Sequence, residues 1–180
     1  VPQPDAHTDE GKHQMAFALL PHQGPLTVAT VHAARIFNAP LQPLTSRGPE
    51  YPRRMPVRLT QPRGGSVVLE TIKRGEADFD YHARSGAGTS IVLRMYEALG
   101  THVRATVHIK DLAVASVSLT NLLEDDIDDE PATPSAEQQA DEWVDVASRG
   151  LRCGVGEDGE TTVALAFRPF QIVTLKIVLA

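Results

Sequence analysis

The sequence predicts an all-β protein, an antiparallel β-sandwich of roughly six to eight strands, and three observations carry that prediction. Apolar residues recur with period two along most of the chain. β-Branched runs of strand length are separated by Gly- and Pro-rich stretches. Thirteen prolines spread over 180 residues discourage long helices.

The elements follow in order. In KHQMAFALL, residues 12–20, His13, Met15, Phe17 and Leu19 fall on one side and Gln14, Ala16, Ala18 and Leu20 on the other. That is a strand pattern, stopped by Pro21. VATVHAARIF, 28–37, has the spacing of one short helix, with Val28, Val31 and Ile36 roughly on a face. SVVLETIK, 66–73, and SIVLRMY, 90–96, read as two strands of a long-loop hairpin across a charged, Gly-rich connection. HVRATVHI, 102–109, alternates: Val103, Ala105, Val107 and Ile109 face one way, His102, Arg104, Thr106 and His108 the other. VASVSLTNLLE, 114–124, is a further strand, and TTVALAF, 161–167, and IVTLKIVL, 172–179, close the chain. A polar leader or linker occupies 1–11, and the sandwich is expected over 12–180. Two insertions interrupt it: an aperiodic Pro/Gly/Arg-rich one near 42–65, and an acidic, exposed, mobile one near 124–142. With no initiator Met and a proline-containing start, the chain reads as a fragment of something longer.

Composition narrows the function classes. Hydrophobic residues at 42% and charged residues at 22% are the mix of a soluble globular domain. A net charge of -6, with RRMPVR at 53–58 the one tight basic cluster, argues against a nucleic-acid surface. No apolar stretch is long enough to span a bilayer, and no signal-peptide pattern is visible. The single cysteine, Cys153, excludes an intrachain disulfide and a thiolate zinc cluster, and suits a reducing compartment.

No self-contained active site emerges from the motifs. His13 and His22 flank an apolar run and can be read as a metal pair, or as a strand-margin residue and a turn residue whose ring reaches a neighbouring domain or substrate. Without an HExxH spacing or a paired His/Asp cluster, the second reading is the better one. His102 and His108 share a face with Arg104 and read as solvated or interface residues. Glu70 and Glu97 could supply the carboxylate pair of glycoside chemistry only if folding brought them together. GVGEDGE, 154–160, is a turn before a strand rather than a phosphate cradle, and the acidic run at 124–130 lacks the central Gly of an EF-hand loop. Nucleophile-elbow, P-loop and dinucleotide fingerprints are absent.

Several stretches taken together, in order, do carry a resemblance. GKHQMAFALLPHQG, AARIFNAPL, VVLETIKRGE, SIVLRMYEALGTHV, SLTNLLEDD and LAFRPFQIVTLKIVL resemble the C-terminal region of glycoside hydrolase family 38 α-mannosidases, in the cytosolic or vacuolar type. Pro21, His22 and Gly24 match that family's Pro-His-x-Gly turn, and Asn38, Pro40 and Leu41 its Asn-x-Pro-Leu element. Arg94, Tyr96, Glu97 and Gly100 match a strand and turn, and Phe170 and Thr174 the closing strand. The resemblance implies a C-terminal accessory β-domain of a metal-dependent, retaining enzyme that hydrolyses terminal α-D-mannosides of oligomannosides. Zinc or cobalt, the nucleophile and the acid/base are then expected in the catalytic domain outside this segment. No catalytic or metal-binding residue is assigned here, and the segment alone is expected to be inactive. The implied partners are the N-terminal catalytic and helical domains, a mannose-containing oligosaccharide and further copies in a homo-oligomer, with no nucleic acid and no membrane. The implied location is the cytoplasm, with the vacuole as the second compartment.

His22, Lys73, Arg74, Glu76, Arg94 and Glu97 are the candidates for cleft or interdomain contacts, by their charge and position. Arg94 and Glu97, three apart on a strand, should point to opposite faces and not pair with each other. The chain departs from the family pattern after Glu76. Two alternatives remain at this level: an independent carbohydrate-binding module, for which Trp143 and few tyrosines are a poor aromatic supply, and a non-catalytic interaction or oligomerisation domain.

Overall fold

The computed structural model describes residues 10–41, 43, 56–78, 89–127, 132, 144–145, 151, 153–156 and 158–180. Two sheets face each other. The first has the order β1-β4-β8-β6, with β7 also paired to β8; the second has the order β2-β3-β9-β5. The strands are β1 (Val57–Thr60), β2 (Val67–Arg74), β3 (Ser90–Glu97), β4 (Val103–Ile109), β5 (Val114–Thr120), β6 (Val144–Asp145), β7 (Cys153–Val155), β8 (Thr161–Phe167) and β9 (Ile172–Leu179). All pairings are antiparallel except the short β6–β8 contact. The all-β sandwich expectation is borne out.

The period-2 pattern explains why these residues make strands. Every second side chain of β4 and β8 turns inward: Ala105, Val107 and Ile109 from one, Val163, Leu165 and Phe167 from the other. They meet Leu93 and Met95 of β3, Val173, Leu175 and Ile177 of β9, and Val117 and Leu119 of β5. Leu93, Leu175, Ile177 and Phe167 are essentially sealed from water, each contributing about 1.5–3 kcal/mol of transfer free energy. Cys153 lies in this core, where burial pushes its thiol up to about 12 and leaves it unreactive.

Three expectations are corrected. Residues 12–20 form no strand: they run without ladder partners, and Met15, Phe17 and Leu19 are exposed at 75%, 89% and 97%. A strand pattern without a neighbouring strand has nothing to receive its backbone N–H and C=O groups. The stretch near 42–65 is not wholly an insertion, because Val57–Thr60 pairs with β4 as an edge strand, the position where flanking prolines are tolerated. At the start of the acidic stretch Asp125, Asp126 and Ile127 are exposed as expected, but the stretch is tied to the sandwich. Glu124 has an 8% exposed side chain, and Ala132 bridges Val117. Most of 128–142, and Trp143, lie outside the described residues.

The helix is found where expected, α1 (Val28–Asn38), but it has no buried residue. Val28 and Val31 are half-buried and Ile36 is exposed.

Candidate interdomain face

One end of the second sheet is organised by Glu97. It closes β3, is 1% exposed, and its carboxylate accepts from the Leu99 amide at 2.9 Å, the Thr101 hydroxyl at 3.1 Å, the Gly100 amide at 2.7 Å and the Phe170 amide at 2.8 Å. Burial opposes its ionisation, but the Phe170, Leu99 and Thr101 bonds and the Ser66 hydroxyl outweigh burial and hold it at about 2. Such a carboxyl has no proton to give near neutral pH. Glu97 is therefore not a general acid at neutral pH. Glu70 is meanwhile ion-paired with Arg35.

What Glu97 does is hold Phe170. That residue has φ +57, a region that is an outlier for a bulky side chain. Its ring lies over Gly100, where an added Cβ would come within 2.8 Å of the ring. Even so Phe170 remains 70% exposed. Beside it Tyr96, Leu122 and Ile172, with Glu70, Arg94 and Glu97, line a depression of about 390 Å³. Leu122 is 58% and Ile172 56% exposed. Arg94 and Glu97 thus share one depression, and no bond joins them, as their opposite-face positions required. Arg94 donates to the Leu122 carbonyl at 3.0 Å, while its Nε is buried without a hydrogen-bond partner.

The turn after β5 folds across the outer face of this sheet and touches all four of its strands. Asn121 shapes it, accepting from the amides of Leu123 and Asp125. Glu124, at φ +69, pairs with Lys73 of β2 and accepts from the Glu76 amide at 2.7 Å. Arg94 of β3 reaches the Leu122 carbonyl, and Asp126 takes Ser118 of β5 at 2.7 Å and Lys176 of β9 at 3.6 Å. Burial works against the Glu124 charge, yet Lys73 and the Glu76 amide hold its carboxyl below the usual range.

At the base of the β2–β3 connection, Asp78 accepts from the Ser90 amide at 2.5 Å and hydroxyl at 2.9 Å, and pairs with Arg74 at 3.6 Å. Lys73 and Arg74 are therefore engaged within the domain, and the Glu76 side chain is exposed.

Arg35 ties the N-terminal arm, residues 10–38, to the edge of the second sheet. The β2–β3 register slips between Leu69 and Thr71, a bulge at Glu70 on an edge strand. The carbonyls it frees are taken by Arg35 of α1, which bonds Leu69 O at 3.1 Å, Glu70 O, and the Glu70 carboxylate at 2.8 Å. His22 sits exposed on this arm, beside a bend at Gly24 with φ +81, and no bond joins it to the other five candidates.

Sequence reasoning missed Glu124, Arg35 and Phe170 as organisers of this face. A charged residue ending an apolar strand just before a Gly turn was the available signal for Glu97. Phe170 was matched only as part of the closing strand, and nothing comparable marks Glu124 or Arg35.

Comparison with known proteins places this geometry. A family model described as the glycosyl hydrolases family 38 C-terminal beta sandwich domain matches residues 66–175. Alpha-mannosidase 2C1 of Mus musculus is 38% identical over 123 residues, 67% of this chain and 11% of that protein. Alpha-mannosidase 2C1 of Homo sapiens is 37% identical over the same share of each. An alpha-mannosidase of Saccharomyces cerevisiae is 34% identical over 103 residues, 54% of this chain and 9% of that protein. The chain spans about a tenth of the length of these relatives.

Proposed function

The chain belongs to glycosyl hydrolase family 38, as its C-terminal beta sandwich domain, and from that premise we propose that it is the accessory domain of a metal-dependent, retaining α-mannosidase acting on terminal α-D-mannosides of oligomannosides. Its work is mechanical: it packs against the catalytic and helical domains of the same polypeptide and holds their arrangement. The observation that carries this reading is Phe170, kept exposed in a left-handed conformation by a buried carboxylate and ringed by Leu122, Ile172 and Tyr96. An isolated domain gains nothing from that arrangement, whereas an interface gains an aromatic anchor in an apolar depression.

The chemistry belongs elsewhere in the polypeptide. Among the described residues no group of three or more His, Cys, Asp or Glu stands where it could hold a metal ion. The described residues therefore offer zinc or cobalt no site, and no reaction step is assigned to them. In a retaining mechanism one carboxylate attacks the anomeric carbon while a second protonates the leaving oxygen, and both are expected in the catalytic domain. A homo-oligomer, and residence in the cytoplasm or vacuole, complete the proposal. The single, buried, unreactive Cys153 suits a reducing compartment.

Hydrolysis of a chromogenic α-mannoside tests the reading. The whole polypeptide should turn it over, lose activity on chelation and recover it with zinc or cobalt. The 19.5 kDa chain alone should be silent. Turnover by the isolated chain would overturn the proposal.

A further inference from the structure

Residues 13–20 have a strand's alternating pattern but no ladder pairing in the described structure, and their apolar side chains from Met15 to Leu20 are exposed. Met15, Phe17 and Leu19 alternate with Ala16, Ala18 and Leu20, so the run is apolar on both sides. That is the signature of a strand covered on both faces, inside a sheet rather than at its rim. The same side chains stand exposed, Leu19 almost completely, whereas the inward-facing apolar residues of β3, β4 and β8 are buried. A contiguous apolar surface of this kind marks an interaction site.

Both edges of the second sheet, the one α1 is tied to, are already engaged. The edge of β2 is capped where Arg35 takes the Leu69 and Glu70 carbonyls, and the edge of β5 is bridged by Ala132 and Asp126. The segment also lies outside the family's sandwich domain, whose match begins at residue 66. Its root is fixed by α1, and Pro21, which has no N–H to donate, sets its end.

We infer that residues 13–20 are a β-strand of a neighbouring domain, inserted into a sheet built by the part of the α-mannosidase polypeptide that lies outside this chain. The inference rests on the reading of the preceding subsection for the identity of that polypeptide. Backbone hydrogen bonds supply the pairing, and the alternating side chains fix its register. Helix α1 and its Arg35 latch then form the joint between the two domains.

Amide hydrogen exchange decides it. In the whole polypeptide the amides of residues 14–20 should exchange on the order of a hundredfold more slowly than in the 180-residue chain. Ala18→Pro in the whole polypeptide should remove that protection while the β3 and β9 amides keep theirs. If the whole polypeptide hydrolyses an α-mannoside but residues 14–20 exchange as fast as in the isolated chain, the strand inference falls and the family function stands. If they are protected but no α-mannoside is hydrolysed, the functional reading falls and the inserted strand stands. Protection that appears in the isolated chain and grows with its concentration would assign the segment to a second copy instead, and overturn the inference.

Discussion

The N-terminal arm and strand β3 start from the same kind of sequence and end differently. His13–Leu20 and Ser90–Glu97 are both eight residues long and alternate with period two. β3 has β2 on one side and β9 on the other, and its Leu93 and Met95 are fully buried. The arm has no strand paired to it among the described residues, and Phe17 and Leu19 remain in water. Period-2 patterning states which face of a strand can be buried. Whether it is buried depends on partners that a local pattern does not contain.

The first way to break the comparison is to remove a side chain from each region. Phe167→Ala empties a large, sealed core position, and unfolding in urea should show a loss of about 3–5 kcal/mol. Phe17→Ala in the same isolated chain should change stability by less than about 0.5 kcal/mol, the range of exposed positions. A loss of more than about 1 kcal/mol from Phe17→Ala would mean that the arm packs on the sandwich and is not free to serve another sheet.

The second sharpens the difference through pH. Glu97 has a folded value of about 2 against an ordinary 4.5, so the folded state binds its proton less readily than the unfolded state does. The stabilisation is fully present above about 4.5 and is lost as pH falls through about 2. Denaturant midpoints followed from pH 6 to pH 2 should fall steeply in that window for the natural chain. Glu97→Gln should start lower and lose much of that slope. An identical acid limb in both would show that the carboxylate's bonds to the Leu99, Gly100 and Phe170 amides do not act as the geometry indicates. In the isolated chain the arm's protection factors, taken relative to the intrinsic exchange rate at each pH, should show no such transition over the same range.

These contrasts also separate what could be read in the sequence from what could not. β2, β3, β4, β5, β8 and β9 each have seven or eight residues, enough for a period to declare itself. β1, β6 and β7 have four, two and three, too few for any pattern to rise above chance, and they exist because β4 and β8 offer them a ladder. The candidate face was legible in its members and not in its architecture. Arg94 and Glu97 were singled out by charge, and both line the depression. Glu97 bonds its own turn at Leu99, Gly100 and Thr101, but the bonds that build the face go to backbone groups of Leu122 and Phe170, 28 and 73 positions from Arg94 and Glu97, brought near by the sheet order. Lys73 was expected to face outward toward another domain; instead the turn after β5 delivers Glu124 to it. A left-handed phenylalanine is not predicted by any residue preference, since the tertiary bond from Glu97 overrides the local cost.

The smallest expected effect tests the joint between the two regions. Arg35 and Glu70 have side chains 41% and 43% exposed, so the ion pair contributes well under about 1 kcal/mol. The bonds to the Leu69 and Glu70 carbonyls add a similar modest amount, because water can replace them at an edge. Arg35→Ala should therefore leave the unfolding midpoint of the sandwich almost unchanged. Its consequence is local: α1 buries no residue and has no side-chain N-cap bond, and an isolated helix of 11 residues is marginal in water. Loss of the latch should raise amide exchange across Val28–Asn38 by roughly tenfold or more while β2 and β3 stay protected. Arg35→Lys should rescue only part of it, because an ammonium cannot bond two carbonyls and a carboxylate in one plane as a guanidinium does. If α1 keeps its protection without Arg35, the helix is held by Val28 and Val31 instead, and the arm is joined to the sandwich by packing rather than by a polar hinge.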